Sequence, residues 1–325
     1  MKSRNLGKDS FAVSEVGLGC WQFGGDFGPM DQDTANEVMQ AAVDAGITFF
    51  DTANVYGAGL SESYIGQFLK TCDVPVKVAT KFGRGDVYPD GYSEDALRTA
   101  IEQACGRLGV GSLDLLQLHC IPTEVLQKGD VFDWLRKAKE EGLIQHFGAS
   151  VESDEQALVC LQQAELTSLQ VIFNVFRQKP AEEVLPKAQE LGVGIIVRLP
   201  LASGLLAGKY TRETKFAESD HRNYNRDGQH FNVGETFAGL PFEKGIELVD
   251  QLKPMVPQGM TMAQLTQRWI LDHSAVSTII TGAKNPEQVR ANSSVSDLPE
   301  LSTELHRDLT SFYNKNVRAK IRGPY

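Results

Sequence analysis

Cysteine is scarce: Cys20, Cys72, Cys105, Cys120 and Cys160 are the five in 325 residues. Their number is odd, their spacings are wide, and no C-x-x-C occurs. That excludes a disulfide scaffold and a structural zinc site, and suits free thiols in a reducing compartment. Six histidines include no H-x-H or H-E-x-x-H pair, so no metal site is expected. Positive charge is in deficit, with 32 Lys+Arg against 42 Asp+Glu, a net charge of −10. A nucleic-acid partner needs a basic surface and is not expected. A small basic pocket for an anion remains compatible with that balance. No apolar run approaches the roughly 18 residues of a membrane span. Residues 1–10 lack the apolar core of a signal peptide, so a cytoplasmic location is expected. Two glycine signatures are also absent. Gly17-Leu18-Gly19 runs into Cys20-Trp21-Gln22, so no dinucleotide fingerprint follows the first strand. Gly204-Leu205-Leu206-Ala207-Gly208-Lys209 is one spacer short of a P-loop, and Tyr210 stands where that motif needs Ser or Thr.

What is present is a repeating alternation. With 42% apolar residues the chain can bury a sizeable core. Short β-branched or aromatic runs at 48–51, 76–81, 113–119, 144–150, 169–174, 194–200 and 276–281 read as strands, with a weaker one at 15–18. Helical patterns lie between them. Val38, Met39, Ala42 and Val43 share one face, as do Leu97, Ile101, Ala104 and Leu108. Ser93 and Ser153, each followed by two acids, read as helix N-caps. Eight βα units without a composition break predict an α/β fold, a single (β/α)8 TIM barrel over 1–325. Phe11-Ala12-Val13 suggests an N-terminal hairpin at the barrel bottom. Leu301, Leu305 and Leu309 suggest an extra C-terminal helix. The polar stretch 211–239 after the seventh strand is a long loop, functional or disordered.

Polar residues at the C-terminal ends of barrel strands carry the chemistry in this architecture. Asp51, Lys81 and His119 end the second, third and fourth strands, and Tyr56 follows Asp51 by five residues. A buried Lys beside a phenol favours phenolate and lowers the Tyr pKa. Asp51 would hold Lys81 charged, and His119 could donate to a carbonyl oxygen. This set suits polarising a carbonyl. Cys120 follows His119, but neighbours on a strand face opposite ways, so a Cys–His nucleophile is not expected.

Asp51-Thr52-Ala53, Tyr56-Gly57, Ser61-Glu62, Thr80-Lys81 and Leu118-His119, in this order, resemble the aldo-keto reductases over nearly the whole chain. The resemblance implies hydride transfer between a nicotinamide cofactor and a small-molecule carbonyl or alcohol. It implies Tyr56 as proton donor, tuned by Asp51 and Lys81, with His119 positioning the substrate.

Barrels hold phosphates in the loops after strands seven and eight. The seventh-strand loop offers Leu201, Ser203, Gly204 and Lys209. Gly282-Ala283-Lys284-Asn285-Pro286, with Gln288 and Asn292, is similar to the family's adenosine-binding signature. Lys284 is a cation suited to a 2′-phosphate, which favours NADPH over NADH while leaving NADH possible. Ser150 and Gln170 match the positions that hold the nicotinamide amide. Two departures stand out. Val151 replaces a frequent Asn, removing one amide contact. Arg198 stands where an aromatic often stacks on the nicotinamide. Its guanidinium would lie flat on that ring and bias the site toward anionic or polyol substrates, unless an internal acid pairs it. Arg222, in the polar loop, is a second candidate phosphate partner in a belt over the pyrophosphate. Trp21 and Phe82 are expected to wall the substrate mouth.

The reading is therefore an NADPH-dependent reductase of aldehydes or ketones. Alternatives are an NAD(P)-dependent sugar or polyol dehydrogenase and a cofactor-sensing regulatory subunit. The latter usually carries an extra N-terminal segment, whereas the first strand here begins within 20 residues of Met1.

Overall fold

The computed structural model describes residues 1–8 and 11–325. Strands β1 (Ser3–Asn5) and β2 (Ala12–Ser14) form an antiparallel hairpin. The other eight are β3 (Val16–Gly19), β4 (Phe49–Asp51), β5 (Lys77–Phe82), β6 (Leu113–His119), β7 (Ile144–Ser150), β8 (Ser168–Ile172), β9 (Gly194–Arg198) and β10 (Val276–Gly282). They pair in parallel in chain order, and β10 closes on β3. The eight expected strands all form, with ends shifted by a residue or two. Helices surround the barrel. Glu94–Leu108 buries Leu97, Ile101, Ala104 and Leu108, and Ser93 caps it by accepting from Ala96 N. Ser153 likewise accepts from Gln156 N to start Asp154–Cys160.

Alternation along the strands builds the interior in layers. Phe49, Ala79, Leu115, Ile196 and Ile280 form an apolar plug with Leu6, Phe11 and Val13 from the hairpin. The hairpin thus seals the bottom, as Phe11-Ala12-Val13 suggested. Side chains two residues along a strand share a face. Phe49, Ala79, Leu115 and Ile196 therefore place Asp51, Lys81, Gln117 and Arg198 one layer higher, inside the barrel. A dry floor beneath a polar layer follows from period-two spacing alone.

The stretch 211–239 is folded. It carries a short helix (His221–Tyr224) and two turns (Val233–Glu235, Phe237–Gly239), with His221, Asn225, Glu235 and Thr236 buried. It forms a strap across the barrel mouth. The Asp26 carboxylate accepts from Trp21 Nε1 at 2.8 Å and from Tyr224 OH at 2.7 Å, while Asp26 O accepts from His221 N at 2.9 Å. The C-terminal helix Thr303–Phe312 buries Leu309. Beyond it, Arg322 donates to Gly239 O and pairs with Asp227 at 2.7 Å, tying the tail to the strap. Among the described residues no helix is long and apolar enough to cross a membrane.

Candidate active site

A cleft of about 930 Å³ opens at the C-terminal ends of the strands. Asp51, Tyr56 and His119 line it, and Lys81 lies buried beneath. Lys81 Nζ donates to Asp51 Oδ1 at 2.5 Å and to Thr52 O at 2.7 Å, and stands 3.4 Å from Tyr56 OH. Tyr56 is placed by close backbone packing. A Cβ on Gly24 would come within 2.6 Å of the Tyr56–Gly57 peptide, so only glycine admits this approach. The Trp21 ring stacks on Tyr56 at 5.9 Å, and the His119 ring meets it edge-on at 6.0 Å.

Burial decides the proton chemistry. It pushes the Tyr56 phenol above its ordinary value, and the opposing pull of Lys81 is too weak to reverse this. The expected lowering is therefore corrected: Tyr56 stays a neutral phenol, the form that can donate a proton. For Lys81 burial acts downward, but Asp51 and Tyr56 outweigh it and the ammonium is retained. Burial, with Arg84, Lys81 and Arg198, holds His119 well below the usual imidazole range. A neutral imidazole has one N–H to give, and His119 Nδ1 has no hydrogen-bond partner among the described residues.

A hydrogen-bonded chain runs under these groups. Ser150 Oγ donates to Gln170 Oε1 at 3.1 Å, and Gln170 Nε2 donates to Asp51 Oδ2 at 2.7 Å. Gln117 Nε2 donates to the same oxygen at 3.0 Å. Gln117 was legible in principle, since it lies two residues before His119 on the inward face. Ser150 itself is buried behind Gln170.

The residues expected to hold the adenosine end lie together in the structure. Leu201, Ser203, Gly204, Lys209, Gly282, Lys284, Gln288 and Asn292 all line the cleft. Gly204 takes a φ of 88°, and a Cβ there would lie 2.3 Å from Tyr210 OH. Gln288 Oε1 accepts from Lys284 N at 2.8 Å, and Asn285 caps the helix Pro286–Ser293. Burial and the field of Arg222 lower the Lys284 pKa. A phosphate at this point would relieve that cost, so the residues fit an anionic cofactor. Arg222 donates to Asp220 and Tyr210, so its charge is already offset.

Three expectations are corrected. Phe82 does not wall the mouth: it is 1% exposed, packed in the core beside Tyr92. It sits one residue beyond Lys81, so period two turns it outward. Cys120 does line the cleft. It follows the strand end with a φ of 52°, where strand alternation no longer applies. Burial raises its thiol pKa, so it remains a weak nucleophile. Arg198 is paired by an internal acid: its Nη1 lies 3.2 Å from Glu235, and Nη2 donates to Val151 O at 3.0 Å. Glu235, on the strap, also takes Arg84 at 2.6 Å, and Arg84 reaches Glu152 at 3.0 Å. Sequence reading missed Arg84, Glu152 and Glu235, which loops bring together. Cys120, Glu152 and Glu235 could crowd a cation, but Arg84 and Arg198 already hold the two carboxylates.

A closed parallel barrel thus carries an Asp–Tyr–Lys–His set at its C-terminal rim. The aldo/keto reductase family model matches residues 15–314, and the chain belongs to this family of NAD(P)H-using oxidoreductases. It is 27% identical to the aldo-keto reductase YhdN of Bacillus subtilis, over 100% of this chain and 97% of that one. It is 28% identical to the NADH-specific methylglyoxal reductase of Escherichia coli, over 90% and 92%. The solved glycerol dehydrogenase AKR11B4 of Gluconobacter oxydans superposes with a TM-score of 0.78 at 27% identity, covering 99% and 98%.

Proposed function

We propose that the protein is an NADPH-dependent reductase of aldehydes or ketones. The observation that carries this is a half-buried phenol, Tyr56, held above its ordinary pKa, against an ammonium fixed by Asp51, with a neutral imidazole opposite. The bound cofactor supplies the hydride that adds to the carbonyl carbon. His119 orients the carbonyl oxygen through one N–H. Tyr56 gives its proton to that oxygen as negative charge develops there, and Lys81 stabilises the phenolate left behind. Asp51 keeps Lys81 charged and in reach. Trp21 covers the substrate from the side. In reverse the same groups oxidise an alcohol. Five free thiols suit a cytoplasmic setting.

In this reading Gln170 receives the nicotinamide amide, with Ser150 behind it as a hydrogen-bond donor to its Oε1, and the loops after β9 and β10 hold the phosphates. A screen following NADPH and NADH consumption against aldehydes, ketones, sugars and α-dicarbonyls tests it. No turnover with any carbonyl would overturn it. Lys284 is assigned to the 2′-phosphate. Lys284→Ala should raise the KM for NADPH about tenfold, as befits a charge-assisted hydrogen bond, and leave that for NADH nearly unchanged. Equal effects on both cofactors would remove the assignment.

A further inference from the structure

Beyond the reacting groups, the mouth has one apolar wall and one charged wall. Trp21, Val55 and Phe231 belong to the first. The second is built on Arg84, Glu152, Arg198 and Glu235. Two of these charges are inner: the Arg198 and Glu235 side chains are 11% and 4% exposed. Burial works against the Glu235 charge, yet Arg84 and Arg198 hold its pKa down to about 2. The other two face the cleft. Arg84 and Glu152 side chains are 21% and 23% exposed and stand 3.0 Å apart. The Arg84 guanidinium is further fixed by two bonds to Glu235, at 2.6 and 3.3 Å, and lies over the Phe231 ring. This wall adjoins the reacting groups: Cys120, the residue after His119, has its Sγ 3.9 Å from Glu235 and 3.6 Å from Arg198, and His119 lines the same cleft as Arg84 and Glu152.

Resting on the carbonyl-reductase reading, we infer that Arg84 and Glu152 form a subsite for a hydroxyl next to the substrate carbonyl. The substrate class is then uncharged hydroxyaldehydes and hydroxyketones. The four charges sum to zero, two Arg against two Glu. A carboxylate or phosphate on the substrate would have to displace Glu152 from Arg84 and approach Glu235 as well. A cation would meet two guanidinium groups. A plain alkyl chain would strip water from the Arg84–Glu152 pair and return no hydrogen bond. A hydroxyl both accepts and donates. It can take an N–H from Arg84 and give its proton to Glu152 in one place. Backbone contacts keep that acceptor still: Glu152 N donates to Gln156 Oε1 at 2.9 Å, and Glu152 O accepts from Arg177 at 3.2 Å.

The test measures kcat/KM with NADPH for propanal, glyceraldehyde and glyoxylate, which differ in carrying no added polar group, hydroxyls or a carboxylate. Wild type should favour glyceraldehyde over propanal by about tenfold or more, because a site built to bond a hydroxyl rejects the analogue lacking it. Glyoxylate should be the poorest. Intrinsic reactivity and hydration cancel when enzyme variants are compared on one substrate pair. Glu152→Ala should cut the glyceraldehyde-to-propanal ratio about tenfold. Glu152→Gln, which leaves the wall with net positive charge, should raise glyoxylate relative to propanal. An unchanged ratio in Glu152→Ala, or a wild type that prefers glyoxylate or propanal, overturns the subsite. Propanal reduced as well as glyceraldehyde defeats this inference alone. If none of the three consumes NADPH, the carbonyl-reductase reading fails and this one with it.

Discussion

Tyr56→Phe is expected to lower kcat by about a thousandfold, within the range a positioned proton donor contributes. NADPH affinity should be retained, because the ring keeps its contact with Trp21 and only the hydroxyl is lost. The size follows from the surroundings. Tyr56 is the hydroxyl that Lys81 Nζ faces at 3.4 Å, on a half-buried ring in the cleft wall, where a bound carbonyl would stand between it and water. The loss should fall on kcat with both good and poor substrates, since the missing proton is needed only in the transition state. Single-turnover kinetics with cofactor titration on the same protein separate the two quantities. Full activity in Tyr56→Phe would remove Tyr56 as donor, and a matched loss of cofactor binding would mark it as a structural residue.

Glu235→Ala should destabilise the protein by about 3–5 kcal/mol, the cost of leaving a buried charge without its partner. The Arg198 guanidinium would then lose its carboxylate in a site where its remaining contacts are Val151 O and the Cys120 thiol. Arg84 keeps Glu152, which limits the loss. Urea unfolding at neutral pH reads it, and a change below about 1 kcal/mol would mean that solvent reaches Arg198 and compensates it. The pH dependence has a fixed sign. The folded pKa of Glu235 is about 2, below its ordinary value of 4.5. Its stabilisation is therefore complete above about pH 4.5 and is lost as pH falls toward 2. Wild type and Glu235→Ala should converge in stability across that acid window. Parallel curves throughout would refute the ion pair as the source.

The contrast between Lys81 and Phe82 shows what was legible in the chain. Strand alternation places one side chain inside and the next outside. Asp51, Lys81 and His119 could be read because strand ends, period and residue type all agreed. Gln117 obeyed the same rule and could have been found by it. Phe82 was misplaced by ignoring the flip, and Cys120 by applying alternation past the point where the strand stops. Arg84 and Glu235 are 151 positions apart, and no local pattern announces their meeting. The sign of the Tyr56 shift was equally hidden. Composition shows that a lysine is available, but only packing shows how dry the phenol is.

Gln170 is bonded to Ser150 on one side and Asp51 on the other. A ligand that engages Ser150 or Gln170 therefore pulls on the carboxylate that fixes Lys81. Occupancy at one end of this chain and proton affinity at the other are then two faces of one free energy. Whatever factor the ligand applies to the Tyr56–Lys81 proton equilibrium, protonation must return to the ligand's affinity.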